Sequence, residues 1–404
     1  MNNKNKQILL HLSLIKGIGP ASVLKIIKKL FEDFFAEQKN PQIQNLSFDL
    51  QKVYLYKVSD FVHVFELSSK IAQALFDGLQ DKTSLEKELN LIEKYQIDLL
   101  TFLDEEYPQN LKEIYSPPII LYCKGAKFAG DKNIAVVGAR KADNYAKQVI
   151  DKLIPALVEK KYTIISGGAL GADSMAHQAT LDAKGKTVAV IGSGLLNFYP
   201  HSNKNLFREI VKNGGTLVSP FPLMAPPEKG NFPARNRVIA GLGSGCLVVQ
   251  AAQKSGALIT AHIALHEGRQ VFAVPGSIYD ELSLGCHDLI KQGAKLVSSV
   301  DDILEELEEQ DYNNKNLCEN SKSILNPFVL TLSLSNGSKD TNGSQKNKKL
   351  KEEDPILKHM EKPSSVDEIS CKVGLDLVEL QNKLFDLQLE GKVKQNFAGY
   401  WEKL

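Results

Sequence analysis

Seven short runs of β-branched and small apolar residues recur between residues 133 and 300, and a helix-length segment follows each run. The runs read NIAVVG, YTIISG, KTVAVIG, TLVSPF, CLVVQA, VFAVPG and KLVSS. None of them alternates apolar with polar residues, which indicates strands that are buried on both faces. Strands of this kind joined by helices predict a parallel sheet covered by helices on both sides, a doubly wound α/β domain.

The chain is long enough for more than one domain, and its residue composition and apolar spacing change along its length. Residues 1–100 carry apolar residues at helical spacing and predict a small all-α N-terminal domain. A bridge at 101–130 leads into the Rossmann-like α/β domain at 131–310, and an Asn-, Ser-, Lys- and Gly-rich linker follows at 311–350. Residues 351–404 predict three helices and a hairpin around Ala398 and Gly399, the arrangement of a winged-helix domain.

The two flanking domains carry weaker signals. LSLIKGIGPASVLKIIKKL (12–30) resembles a helix-hairpin-helix element, and a purely structural helical domain of the sterile-alpha-motif (SAM) kind remains open. The third helix of the winged-helix domain has four acids and one lysine between 376 and 390. Because acids repel phosphate, this helix favours a protein-contact or regulatory role over the reading of a DNA duplex.

Composition limits the classes of partner. The net charge is only +1, so any anion site must be built from local groups. No run of eighteen apolar residues occurs, and we therefore expect no membrane insertion. Five scattered cysteines without a CxxC pair indicate a reducing, cytoplasmic location without disulfides or a zinc ribbon.

Glycine-rich turns follow nearly every predicted strand, at the edge of the sheet where ligands of such folds bind. Backbone amides in these turns, helix N-termini and nearby arginines are suited to hold phosphates. The residues of this rim are Gly138, Arg140 and Lys141; Ser166, Gly167 and Gly168; Gly192, Ser193 and Gly194; Arg235, Asn236 and Arg237; and Ser255 and Gly256.

Common nucleotide motifs and catalytic groups do not fit this rim. GKT at 185–187 precedes its strand and lacks the upstream glycine of a P-loop, and the turns after the first two strands lack the NAD pattern. His262 and His266 are four residues apart without a third metal ligand, which favours packing over a metal site. Asp173 is the one acid of the rim, and a helix-capping role is favoured for it. The rim predicts a binding surface without catalysis, cofactor or metal.

Several longer motifs resemble the DNA-processing protein A (DprA/Smf) family over roughly residues 100–300. They are VVGARKA, ISGGALGADSMAH, AVIGSGLLNFYPHSNKNLF, GNFPARNRVIAGL, SGALITA and GRQVFAVPGS. The resemblance implies a bacterial cytosolic protein that binds single-stranded DNA through its Rossmann-like domain. It also implies a homodimer that loads RecA recombinase during natural transformation, with no enzymatic step. The second turn, SGGALGAD, lacks the arginine of the family's usual SGLARGID.

On this resemblance the rim residues bind single-stranded DNA, and Arg235 and Arg237 meet its phosphates. Lys204 and Phe207 add a cation and an aromatic ring three residues apart on one helix, a pairing suited to a phosphate and a stacked base. A core position for Phe207 is the open alternative.

Two other functions compete with this interpretation. A nucleotide-monophosphate hydrolase of the lysine-decarboxylase-like (cytokinin-activating) class has a related sheet, but requires PGGxGTxxE, and SGGALGADSM lacks its proline and glutamate. A protein-interaction scaffold without nucleic acid is the third possibility.

Overall fold

The computed structural model describes residues 3–38, 49–128 and 132–308, and then 355–358, 369, 373, 380, 383–384, 387, 393–395 and 401–403. The chain divides into two compact units, Met1–Asn336 and Gly337–Leu404. The predicted linker at 311–350 lies outside the described residues.

A nine-stranded sheet forms the centre of the first unit. Its strands are β1 (Asp98–Thr101), β2 (Ile120–Gly125), β3 (Asn133–Val137), β4 (Thr163–Ser166), β5 (Thr187–Val190), β6 (Thr216–Ser219), β7 (Gly245–Val248), β8 (Gln270–Ala273) and β9 (Lys295–Leu296). Their order is β1-β2-β6-β5-β4-β3-β7-β8-β9. All pairs from β6 to β9 along this order are parallel, which confirms the seven predicted strands and the Rossmann-like α/β class.

Helices cover both faces of the sheet, because successive residues of each buried strand point to opposite sides. The covering helices are α7 (Asn144–Glu159), α8 (Ala172–Asp182), α9 (Lys204–Lys212), α10 (Asn231–Leu242), α11 (Gly256–His266), α12 (Leu284–Lys291) and α13 (301–308). Ile134 and Val136 of β3 pack in one apolar cluster with α7, α8 and α13, whereas Ala135 and Val137 pack in another with α10, α11 and α12.

The N-terminal residues are helical, as predicted. Their helices are α1 (Asn3–Leu14), α2 (Pro20–Gln38), α3 (Val58–His63), α4 (Ser69–Gln80) and α5 (Thr83–Tyr95), with a 3₁₀ turn at Leu50–Leu55. Pro20 is the first residue of α2, where its missing N–H costs no helical hydrogen bond. Side chains of these helices, such as Ile26 and Leu75, share one apolar cluster with Leu217 of β6. A helix-hairpin-helix or SAM-like identity for this region stays a prediction.

The predicted bridge contributes structure that sequence reasoning missed. β1 and β2 pair with each other and extend the sheet beyond β6, both in antiparallel register. Between them lies the short helix α6 (Gln109–Lys112). β2 contains most of the buried apolar run IILYC at 119–123, which was predicted as part of the bridge. Antiparallel edge strands on a mostly parallel sheet are common.

The second unit is described only in part. A helical turn, α14 (Pro355–Lys358), and two antiparallel strands, β10 (Val393–Gln395) and β11 (Trp401–Lys403), belong to it. The two strands flank Ala398 and Gly399, as the hairpin prediction requires. Buried Ile356, Leu380 and Trp401 belong to its own apolar cluster. The winged-helix class stays a prediction.

The strand order reverses its direction beside β3. From β3 the chain proceeds outward through β4, β5 and β6, and then returns to place β7 on the other side of β3. The loops that leave β3 and β7 therefore diverge and open a crevice at their carboxyl ends, which is the usual ligand position in open α/β sheets.

His177 on α8 is fully buried beside Thr187, the first residue of β5. The Thr187 hydroxyl donates to the Ile164 carbonyl at 2.7 Å, so it accepts from Nδ1–H of His177 at 2.7 Å. Nε2 is then the unprotonated nitrogen, and no described residue pairs with it. Burial, aided by the positive charge of Arg235, lowers the pKa of His177 to about 3.

We expect His177 to make the fold sensitive to acid. Its folded pKa lies below the ordinary value of 6.5, so below pH 6.5 protons bind the unfolded chain in preference to the folded chain. The free energy of unfolding should fall by about 1.4 kcal/mol per pH unit from this residue, or about 2 kcal/mol by pH 5. Urea unfolding of wild type and His177→Gln at pH 7 and pH 5 measures the difference between the two proteins. Equal losses in both would contradict the assignment.

Candidate nucleic-acid interface

A cleft of about 490 Å³ occupies the crevice between the loops after β3 and β7. Gly138 to Lys141 form one wall, and the first turns of α10 and α11 form the others. Of the predicted rim residues, the cleft brings together Gly138, Arg140, Lys141, Arg235, Asn236, Ser255 and Gly256.

Arg235 is the buried centre of this cleft, with only 6% of its surface exposed. Its Nη1 donates to the carbonyls of Gly167 and Val190, the latter at 2.7 Å, and its Nε donates to Asn236 Oδ1 at 3.0 Å. Burial lowers the pKa of Arg235 to about 10, so the guanidinium stays charged at neutral pH. No described residue accepts from Nη2, and Arg235 lines the cleft.

Asp173 is the buried acid beside this arginine. Its Oδ2 accepts from the amides of Gly167 at 3.1 Å and Ala169 at 3.2 Å, so the carboxylate holds the backbone of the turn after β4. Burial raises the pKa of Asp173, and the positive charge of Arg235 opposes that rise. Asp173 lies in the first turn of α8, whose N-cap residue is Gly171. It therefore stabilises the turn before the helix rather than standing at the predicted cap position.

Ser255 supplies a second unsatisfied group. It occupies the N-cap position of α11 but makes no side-chain cap hydrogen bond, and its Oγ is buried without a partner among the described residues. Ser255 lies in the wall of the cleft, next to the exposed Gly256 at the N-terminus of an eleven-residue helix. A buried hydroxyl without a partner costs free energy.

Two residues that sequence reasoning missed complete the cleft. Lys229 is exposed at its mouth, and Phe232 stands in the first turn of α10. The guanidinium carbons of Arg140 and Arg235 lie 5.6 Å and 5.9 Å from the centre of the Phe232 ring. A signal existed in the sequence, since Lys229 and Phe232 are spaced three apart like Lys204 and Phe207.

The structure places Phe207 in the core. Only 1% of it is exposed; its ring packs 5.5 Å from that of Phe198, and Gly168 lies close against it. This burial corrects the prediction that Phe207 stacks on bases, because its ring offers no face to a ligand. Lys204 is exposed at the start of α9 but does not line the cleft.

Other rim residues are buried supports of the turns. The Ser166 hydroxyl donates to Val136 O and the Ser193 hydroxyl to Asn197 O, each at 2.7 Å. Gly168, Gly192 and Gly194 are also buried, and none of these five residues lines the cleft, although Ala169 of the turn after β4 and Asp173 of α8 do. Their predicted contacts with DNA remain untested.

Arg235 and Arg237 point to different cavities. Residues that are two positions apart on an α-helix, such as Arg235 and Arg237, lie about 200° apart around its axis. Arg237 therefore faces away from the cleft and lines a separate cavity of about 310 Å³ together with Gly19, Pro20 and Pro222. The two arginines do not form a single phosphate clamp.

Within the part of the chain that the structure describes, no group of three metal-ligating side chains occurs. His262 and His266 lie on α11, where burial and the neighbouring His266 lower the pKa of His262. No described helix is both long enough and apolar enough to span a membrane.

The parallel sheet and the crevice at its switch point define a Rossmann-like protein with a cleft lined by Arg140, Lys141, Lys229 and Arg235. A family model described as DNA recombination-mediator protein A matches residues 98–308. The chain is 45% identical over 232 residues to DNA processing protein DprA of Streptococcus pneumoniae. The alignment covers 56% of this chain and 79% of that protein. The chain is 43% identical over 216 residues to DNA processing protein DprA of Bacillus subtilis, with coverages of 53% and 72%.

An X-ray structure of DNA processing protein A from Streptococcus pneumoniae matches the fold. Its TM-score is 0.60 at 36% identity, over 76% of this chain and 99% of that chain. The chain therefore belongs to the DNA recombination-mediator protein A family, as its motifs indicate.

We expect Arg235 to stabilise the fold and Arg237 to contribute little. Arg235→Ala leaves two strand-end carbonyls and the buried Asp173 without their cation, a loss of about 3 kcal/mol or more in the free energy of unfolding. Arg237→Ala should change it by less than about 1 kcal/mol, because the side chain is only partly buried. Urea unfolding at pH 7 compares the two variants. Equal effects would contradict the structural role of Arg235.

Proposed function

We propose that this protein binds single-stranded DNA and acts as a recombination mediator, protecting incoming strands and loading RecA recombinase during natural transformation. The observation that carries the DNA-binding part is a cleft lined by the buried, charged guanidinium of Arg235 and by Ser255 at the N-terminus of α11. A phosphodiester offers only acceptors, and its negative charge matches the cation.

The exposed charges around the cleft support the same ligand. Arg140, Lys141 and Lys229 line its mouth, although the whole chain has a net charge of only +1. Local cations of this kind attract a polyanion without a strongly basic protein. Phe232 adds an aromatic ring beside the cations, and a ring with adjacent cations is how sequence-tolerant binding of single strands works.

The size of the cleft favours a single strand over a duplex. A volume of about 490 Å³ falls in the range of pockets that take small molecules, roughly 300–1,000 Å³. A nucleotide with an unpaired base can enter such a space and approach Phe232. In a duplex the bases are paired and stacked inside, so only the phosphates could reach the walls.

The charged and neutral donors of the cleft should have different effects on DNA affinity. Arg140→Gln should weaken binding of fluorescent oligo-dT about tenfold or more, and should reduce the slope of log K against log salt by about 0.7 per lost phosphate contact. Ser255→Ala should weaken binding about fivefold at an unchanged slope, because it removes a neutral donor. Fluorescence anisotropy over a salt series measures both quantities.

Lys160→Gln is the matched control for these variants. Lys160 is exposed at the end of α7, at the opposite edge of the sheet, and its loss should leave affinity and slope unchanged. If Arg140→Gln and Ser255→Ala both bind oligo-dT like wild type, the cleft is not the DNA site. Binding of duplex as tight as that of oligo-dT would contradict the preference for single strands.

The finer role, RecA loading by a homodimer, rests on family membership, since the matching family is described as a recombination mediator. We expect a dimer in sedimentation at micromolar concentration, and faster RecA assembly on oligo-dT in its presence. The Arg140→Gln variant should lose this acceleration, because loading requires the mediator to hold the strand. A strictly monomeric protein, or unaltered RecA assembly, would contradict this role.

A further inference from the structure

The cavity of about 310 Å³ that Arg237 lines, which we call the N-terminal cavity, lies between the N-terminal helices and the sheet. Three parts of the chain enclose it: the turn between α1 and α2, the segment that leads into β2, and the loop after β6 together with α10. None of its described lining residues lines the cleft, so the proposed DNA contacts leave it unused. Its volume falls in the range of pockets that take small molecules, roughly 300–1,000 Å³.

Prolines form much of the wall of the N-terminal cavity. Its wall includes Pro20 at the start of α2, Pro118 before β2, and Pro220 and Pro222 after β6, with the partly exposed Phe221 between the last two. A proline ring is fixed in φ and has no backbone N–H, so these four residues present a rigid surface without hydrogen-bond donors. The cavity is therefore preformed, and little conformational entropy is lost when an apolar body enters it.

Arg237 gives this apolar cavity its charge. Among the described residues that line the cavity, only Arg237 has a charged side chain, so no acid of the wall neutralises the guanidinium. The side chain is partly buried. Because apolar walls keep the local dielectric constant below that of water, a unit charge attracts an anion more strongly here than on an open surface.

The helix that carries Arg237 is held in one orientation. Arg235 of the same helix donates to the carbonyls of Gly167 and Val190, which fixes the rotation of α10 about its axis. Val238, the next residue after Arg237, is buried and also lines the cavity. The guanidinium therefore belongs to the wall of the cavity by the construction of the helix, and a ligand need not reorganise the backbone to reach it.

We propose that the N-terminal cavity binds a small apolar monoanion that has one carboxylate and an aromatic or branched aliphatic body. The carboxylate pairs with the Arg237 guanidinium, which matches it in charge and in the geometry of its donors. The body lies against the prolines and Phe221. This inference goes beyond the proposed DNA binding and does not rest on it, since the two sites share no described residue.

Charge and composition favour a small monoanion over a polyanion. A single strand of nucleic acid carries one charge per nucleotide and is held by several cations along a groove. The N-terminal cavity has one cation among its described residues and rigid apolar walls, so it satisfies one charge and removes an apolar body from water. A neutral ligand of the same shape would leave the charge of Arg237 unpaired. The cavity therefore distinguishes a carboxylate from its amide.

Isothermal titration of the full chain with 2-naphthoate and with 2-naphthamide tests this site, because the two probes share an apolar body and differ in charge. We expect one 2-naphthoate per chain, bound about tenfold or more tightly than the amide. Arg237→Gln should lower the affinity for 2-naphthoate about tenfold and leave that for the amide unchanged. Saturating oligo-dT should not displace 2-naphthoate, because DNA is proposed to bind in the separate cleft.

Arg208→Gln is the matched control, since Arg208 is exposed on α9 and lines neither the cleft nor the N-terminal cavity. Ala234→Trp is a second variant: Ala234 is exposed and lines the cavity, so a large ring there should fill it and abolish binding of both probes. Thermal unfolding of each variant checks that its fold is intact.

Equal wild-type affinities for the two probes, a preference for 2-naphthoate that survives Arg237→Gln, or displacement of 2-naphthoate by oligo-dT would overturn the site. A chain that binds 2-naphthoate as expected but does not bind oligo-dT would refute the DNA proposal alone. The two proposals therefore fail separately.

Discussion

One buried guanidinium determines how the binding edge of this sheet is built. Arg235 donates to the carbonyl of Gly167, the residue just after β4, and to that of Val190, the last residue of β5, where the chain leaves the sheet. Gly167 lies between Arg235 and Asp173, and a Cβ placed there would come within 2.6 Å of Nη1 and 2.7 Å of the carboxylate. The glycine of this turn is thus required by the close approach of a charged pair, rather than by ligand contact.

The same arginine links the stability of the fold to the chemistry of the cleft. Three of its N–H groups are used by the protein, which fixes the plane of the guanidinium, and the residue also lines the cleft. A donor that is already positioned needs no reorganisation when an anion arrives, so less of the binding free energy is lost to ordering. Asp173 keeps a negative charge nearby, which limits the cost of burying the cation without occupying the open nitrogen.

The sequence predicted the parallel strands because their burial on both faces leaves an uninterrupted apolar run. It did not predict β1, which is only four residues long, or β2, although the apolar run IILYC at 119–123 carries the same pattern. The cleft was only partly predictable. Gly138, Arg140 and Ser255 follow parallel strands, so they lie at the carboxyl edge of the sheet. Which way a helical residue faces depends instead on the rotation of the helix about its axis, which the sequence does not show. Arg235 and Arg237 look equivalent in FPARNR, yet they reach different cavities. The cation and aromatic pattern was assigned to Lys204 and Phe207, while Lys229 and Phe232 carry it at the cleft.

The shared apolar cluster between the N-terminal helices and the sheet has a consequence for how this chain can be divided. Ile26, Leu75 and Leu217 belong to one core, and the Glu88 carboxylate accepts from the buried Leu223 amide at 2.7 Å, across 135 residues of sequence. The family-matched segment begins only at residue 98. A fragment cut there would expose one side of its core to water and leave a buried amide unpaired. The segment that matches the family therefore begins later in the chain than the segment that shares one hydrophobic core.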